Sequence, residues 1–313
     1  MWVAEADGSN ARQLVADGSL GELSPDGRHV AYYLVKRFDE KTGESVRNLY
    51  VQEVNGGKPR LLGDGDWYSW SPDGSKLAID DGNDLYLLDV ESGQRRKVVD
   101  GNVRGWSGLT FAPDGTALAY ARSEGLGESD VFVLRLSDGK TTHLTTDGHS
   151  DSPVWGREWI AYRQFRCEND ECWPSIGKIR LIRPDGSGDR VFARGDEDLS
   201  RAQWGLEPRE FSRDGKRLLA CRSAEFSCRP VAFTVPDGKR YDLSVDNEPG
   251  MIPFGADLAA DGSEVLVEVA PFDGHGERVY AVPFEGGTGR LLMRQAADPS
   301  WASAIAPARD DKN

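Results

Sequence analysis

The sequence predicts an all-β protein, a β-propeller of four-stranded antiparallel blades. A Ser-Pro-Asp-Gly phrase returns along the chain, an apolar or aromatic residue precedes each copy, and a short β-rich run follows it. The copies are Ser24-Pro25-Asp26-Gly27, Ser71-Pro72-Asp73-Gly74, Ala112-Pro113-Asp114-Gly115, Ser212-Arg213-Asp214-Gly215 and Ala259-Ala260-Asp261-Gly262. A repeat of about 40–47 residues is what one four-stranded blade occupies.

The phrase encodes a tight turn. Proline sets φ for the second position, aspartate suits the third, and glycine takes the left-handed conformation that closes a hairpin. The residue before it (Leu23, Trp70, Phe111, Phe211 or Leu258) ends the first strand as a large anchor. A second strand follows at 29–32, 76–79, 117–120, 217–220 and 264–267, each β-rich and alternating. Third strands begin near Asn48, Asp84, Asp130, Lys178, Pro230 and Arg278, and a glycine-bearing turn leads to a short fourth strand. The run from Val154 to Tyr162 lacks the phrase but supplies the same strands around a shorter turn, so it counts as a degenerate blade.

The ends decide the blade count. Residues 1–16 read as a third and fourth strand without a first and second, and residues 299–306 offer a first strand with a weak second. Sharing one blade between them gives seven, the favoured count, with six as the alternative; closure removes exposed sheet edges. The whole of 1–313 then forms a single domain. No stretch approaches the ~18 apolar residues of a membrane-spanning helix, and no basic-then-apolar leader opens the chain.

The turn phrase, the aromatic before it and the following strand of the Leu49-Tyr50-Val51 type resemble the WD40-like (PD40) repeats of TolB-type periplasmic proteins and of the propeller domains of prolyl-oligopeptidase-like enzymes. The resemblance covers nearly the whole chain and implies the fold, while function stays open because such propellers serve as scaffolds, sensors and substrate gates. The separate α/β domain of TolB has no counterpart among these residues, so the likeness is to the repeat family.

Four cysteines form two local pairs, Cys167 with Cys172 and Cys221 with Cys228, each in the connection between second and third strands. Two local disulfides are the favoured reading, and they place the protein in an oxidising compartment, periplasmic or extracellular. Unpaired thiols and a metal site are the other readings. The spacing of Cys221 and Cys228 is wider than zinc sites use, and no histidine is near either pair in sequence.

A net charge of −14 with scattered basic residues disfavours nucleic acid and anionic membranes as partners. The Gly-x-Ser-x-Gly elbow of serine hydrolases is absent, the nearest string being Gly105-Trp106-Ser107-Gly108. The histidines, His29, His143, His149 and His275, fall on different blades. The acidic segments 64–66, 80–84 and 196–198 lack calcium-loop spacing and read as polar turns. No cofactor is expected, with calcium or another divalent ion as the alternative.

A ligand would enter where the fourth-to-first-strand connections converge on one channel mouth. These connections, with the adjoining strand ends, bring Trp67, Arg104, Trp106, His149, Asp151, Arg201, Trp204 and Glu207, aromatic faces with a few polar groups. The preferred reading is a monomeric, non-catalytic propeller, scaffold or sensor, that binds a protein, peptide or small molecule outside the cytoplasm. The alternative is a metal-dependent hydrolase or lyase in the same channel.

Overall fold

The protein is described by a computed structural model over residues 1–16, 18–38, 45–103, 108–125, 128–165, 177–195, 205–224, 227–245, 251–271 and 276–294. Six antiparallel sheets of four strands follow one another along the chain. Blade 1 holds β3 (Ser19–Leu23), β4 (His29–Phe38), β5 (Ser45–Glu53) and β6 (Arg60–Asp64), and blade 2 holds β7 (Trp67–Trp70), β8 (Lys76–Asp80), β9 (Leu85–Asp89) and β10 (Arg95–Val99). Blade 3 comprises β11 (Leu109–Phe111), β12 (Ala117–Gly125), β13 (Glu128–Arg135) and β14 (Thr141–His143), and blade 4 comprises β15 (Ser150–Trp155), β16 (Ile160–Gln164), β17 (Lys178–Ile182) and β18 (Arg190–Arg194). Blade 5 is built of β19 (Gly205–Phe211), β20 (Arg217–Ala224), β21 (Ser227–Thr234) and β22 (Arg240–Asp242), and blade 6 of β23 (Met251–Leu258), β24 (Glu264–Pro271), β25 (Arg278–Pro283) and β26 (Arg290–Arg294). The degenerate unit is a full blade.

The count corrects the favoured seven: the described residues form six four-stranded blades. The N-terminal strands β1 (Trp2–Val3) and β2 (Arg12–Gln13) pair only with each other, as a two-stranded sheet. Residues 299–306, expected to supply the missing inner strands, lie outside the described residues. The small sheet nonetheless touches the first blade and the last. Met1, Leu14 and Val15 pack on Val30 and Tyr32 of blade 1. On the other side Arg290 donates to the Asp7 carbonyl at 3.4 Å. Gly8, at φ +84°, comes so close to blade 6 that a Cβ there would sit 2.8 Å from the Leu292 carbonyl oxygen.

Second strands are apolar on both faces because each blade is covered on both sides. Leu77 and Ile79 of β8 pack on blade 1, while Ala78 between them joins the cluster with blade 3. The pattern repeats in β12, with Leu118 and Tyr120 toward blade 2 and Ala117 and Ala119 toward blade 4. In β16, Ile160 and Tyr162 face blade 3 and Ala161 faces blade 5. Large residues on one face meeting alanine on the next let successive sheets interdigitate, and full burial of each large side chain contributes about 1.5–3 kcal/mol.

The repeated phrase folds as its chemistry requires. In blade 2 the Ser71 hydroxyl donates to Asp73 at 2.6 Å and accepts from the Lys76 amide at 2.8 Å. Asp73 also accepts from the Ser75 amide at 3.0 Å, and these donors, Ser71 foremost, hold its carboxyl down at about 2. Gly74 closes the turn at φ +69°. Blade 4 shortens it: Gly156 donates to the Trp159 carbonyl, where blade 2 spans from Ser71 to Lys76.

A second device recurs at the rim. In blades 1, 4 and 6 the arginine that opens the fourth strand reaches the next unit's turn between third and fourth strands. Arg60 donates to the Glu91 carbonyl at 2.6 Å, Arg190 to that of Pro236 at 3.4 Å, and Arg290 to that of Asp7. Arg12 makes the same bond from the N-terminal sheet to Val54.

Deleting residues 1–16 uncovers Val30 and Tyr32 and removes two of these straps. The melting temperature is expected to fall by several degrees in a thermal melt; an unchanged curve would show that the small sheet contributes nothing to the ring.

Candidate functional site

The first strands of all six blades surround a central cavity of about 670 Å³. Two residues before each turn the chain places, in blade order, Glu22, Ser69, Thr110, Val154, Glu210 and Asp257. The carboxyl groups thus gather on blades 5, 6 and 1, opposite hydroxyl and apolar groups. Glu210 accepts from the Leu258 amide at 3.1 Å and shares a hydrogen bond with the Asp257 carboxyl. Glu22 stays exposed to the open cavity; partial desolvation by the surrounding wall, with the Asp257 charge, pushes it up to about 8. Enclosure and then Asp257 raise Glu210 as well.

Aromatic groups form much of the remaining wall: Trp67, Tyr68, Trp70, Phe111, Trp155 and Phe211. Several brace the blades as they line the cavity. Trp70 Nε1 donates to the Glu22 carbonyl at 3.2 Å, and the Tyr68 hydroxyl lies 2.7 Å from the Leu20 carbonyl oxygen. Tyr33 also lines this space; it is 1% exposed, and its hydroxyl has no hydrogen-bond partner among the described residues.

Of the residues the sequence nominates at the mouth, Trp67 lines the cavity and is 41% exposed. Asp151 and Glu207 come together through a residue the sequence does not single out, Arg163. Its guanidinium binds Asp151 in a fork, 2.7 Å to each oxygen, and reaches Glu207 at 3.1 Å. Burial raises Asp151 while Arg163 pulls it down. Arg209, which lines the cavity, lies 3.4 Å from Glu207, so this cluster borders the channel. His149 joins its edge through Phe165, ring centroids 5.7 Å apart. Arg104, Trp106, Arg201 and Trp204 lie outside the described residues.

Glu22, Glu210 and Asp257 were legible only by aligning the repeats, since each stands two residues before its turn. Arg163 carries no such mark. Cys221 and Cys228 form a disulfide with Cα atoms 5.1 Å apart, while Cys167 and Cys172 lie outside the described residues. His143 stacks on Phe132 at 4.1 Å. In the acidic stretch 80–84, Asp80 and Asp81 cap backbone amides of Gly82 and Asp84, as polar turns do. Among the described residues no trio of His, Cys, Asp or Glu side chains is grouped as metal ligands, and no helix is long and apolar enough to cross a membrane.

TolB from Acinetobacter baumannii superposes with a TM-score of 0.57 at 15% identity, covering 90% of this chain and 68% of that one. The fold is a TolB-like propeller. An oligogalacturonate lyase in complex with manganese matches with a TM-score of 0.61 at 16% identity over 87% of this chain and 76% of that one. In sequence, dipeptidyl-peptidase 5 of Porphyromonas gingivalis is 30% identical over 138 residues, 37% of this chain and 20% of that protein. An uncharacterized protein of Agrobacterium fabrum is 27% identical over 136 residues, 41% of this chain and 44% of that protein. This TolB-like chain therefore spans less than half the length of these curated relatives. No family model matches it.

Two outcomes follow from these electrostatics. Arg163→Ala leaves Asp151 buried without its cation and is expected to cost about 3–5 kcal/mol. Urea unfolding should show a larger loss at pH 8 than at pH 5, where Asp151 can take up a proton. For Glu22 the folded value, about 8, lies above the ordinary 4.5. The folded state then binds the extra proton between those limits, so stability falls as pH rises through that window. Glu22→Gln should raise the melting temperature at pH 9 and flatten its decline from pH 5; a wild-type profile would mean that Glu22 ionises freely.

Proposed function

We propose that this TolB-like chain is a non-catalytic binding propeller that acts outside the cytoplasm and takes a positively charged protein or peptide segment into its channel. The observation that carries the reading is the arc of Glu22, Glu210 and Asp257 against one wall of an aromatic-lined cavity. Enclosed carboxyl groups that crowd one another are stabilised by an incoming cation. Aromatic faces beside them suit a guanidinium or ammonium group. The Cys221–Cys228 disulfide supports a place in an oxidising compartment.

The competing reading, a metal-dependent hydrolase or lyase, would use the same carboxyl groups. Metal analysis of the untreated protein separates the two: a stoichiometric divalent ion together with chelator-sensitive turnover would move the channel to catalysis.

The direct test is calorimetric titration with a capped peptide carrying two arginines and a tyrosine. Binding should release protons near pH 7, because the cation lowers the raised carboxyl values, and affinity should rise from pH 6 to pH 9. A Glu22→Gln, Asp257→Asn double variant should weaken binding at least tenfold. Equal affinity for a glutamine-substituted peptide would sink the cationic reading.

A further inference from the structure

A second cavity, of about 610 Å³, lies at the seam between blades 3 and 4. Its lining includes turn residues Pro113, Asp114 and Arg157, together with Pro184 just after β17. First-to-second-strand and third-to-fourth-strand turns share one end of a blade, and at that end the cleft meets the central cavity, with Pro113, Trp155 and Arg157 lining both. Its apolar floor is Ala112, Ala117, Val133 and Trp155.

Two features mark this seam, a shortened turn and, as in blades 2 and 5, a fourth strand with no strap to the next blade among the described residues. Blade 4 has the short turn, bonded from Gly156 to Trp159, and so projects less toward blade 3. Blade 3 also opens its fourth strand with Thr141, where the first, fourth and sixth blades have the strapping arginines Arg60, Arg190 and Arg290. A threonine cannot span to the next blade's turn as those guanidinium groups do.

The charge at the opening runs against that of the whole chain. Arg135, Lys140 and Arg157 line it, in a protein of net charge −14. Arg135 is paired with Asp138 at 3.2 Å, but the Lys140 ammonium and the Arg157 guanidinium have no ion-pair partner among the described residues. The acid at the rim, Asp114, is engaged by the Thr116 amide at 2.9 Å and its hydroxyl at 2.7 Å.

From the open seam, the apolar floor and the two unpaired cations we infer that this cleft is a second binding site, for an extended acidic peptide segment carrying an apolar side chain. The carboxylates pair with Lys140 and Arg157, and the apolar side chain covers Trp155. Complementary charge supplies register and encounter rate, and the indole supplies the desolvated anchor.

Fluorescence polarisation with a labelled Glu-Glu-Leu-Glu-Glu peptide tests it. The expected result is saturable binding that weakens at least tenfold in a Lys140→Glu, Arg157→Glu double variant and weakens with added salt. Both positions are exposed, so the variant should keep the wild-type melting curve. Glu22→Gln, across the cavity on blade 1 and outside the cleft lining, should leave this binding unchanged, which separates it from binding at the carboxyl arc. The inference is overturned if the wild type does not bind at millimolar protein, if the charge-reversed protein binds equally, or if a Gln-Gln-Leu-Gln-Gln probe matches the acidic one. If the double variant melts well below the wild type, Lys140→Gln with Arg157→Gln carries the comparison.

Discussion

Everything in this molecule depends on the second strand of each blade being buried on both faces. A lone four-stranded sheet with Leu77 and Ile79 on one side and Ala78 on the other would leave both surfaces wet. Stacking blades radially solves this for every sheet except those at the ends of the series. There the N-terminal strand pair covers Val30 and Tyr32 of blade 1 and rests on Leu292 of blade 6. The ring is therefore a chain of nearest-neighbour contacts, and its weakest link is the place where sheets from distant parts of the sequence meet.

The same alternation decides what the channel can carry. Packing between blades is repetitive and tolerates little polarity, whereas the edge of each first strand faces a solvent-filled space. Polar residues there are free to vary from blade to blade, and they do: glutamate, serine, threonine, valine, glutamate and aspartate occupy equivalent stations. That variation is what distinguishes one wall of the cavity from another, on a scaffold whose turn chemistry recurs in five of the six blades.

How much was legible follows from this division. Turns, strands and the degenerate fourth blade were readable because the Ser-Pro-Asp-Gly chemistry is local: Ser71, Asp73 and Gly74 bond one another within a few residues. The blade count was less so, because closure depends on how two distant termini meet, and strands as short as Trp2–Val3 leave little pattern. The site was partly readable. Asp151 and Glu207, both nominated from the sequence, come together in space, but the cation that joins them, Arg163, sits on a second strand that otherwise reads as core. The channel carboxyl groups escaped notice because a glutamate beside a turn looks like ordinary surface until six copies are laid over one another.

The placement of those carboxyl groups makes the cavity polar across its width as well as along its axis. The three carboxyl groups sit on blades 5, 6 and 1, off centre and near one wall, with Arg209 and Arg213 of blade 5 in the same lining. On the proposed cationic reading, a guest that pairs with those carboxyl groups leans to that side and presents its opposite flank to Ser69, Thr110 and Val154. The ring, for all its repetition, would then distinguish the two sides of a strand that lies in it, a discrimination that a symmetric pore of the same width could not make.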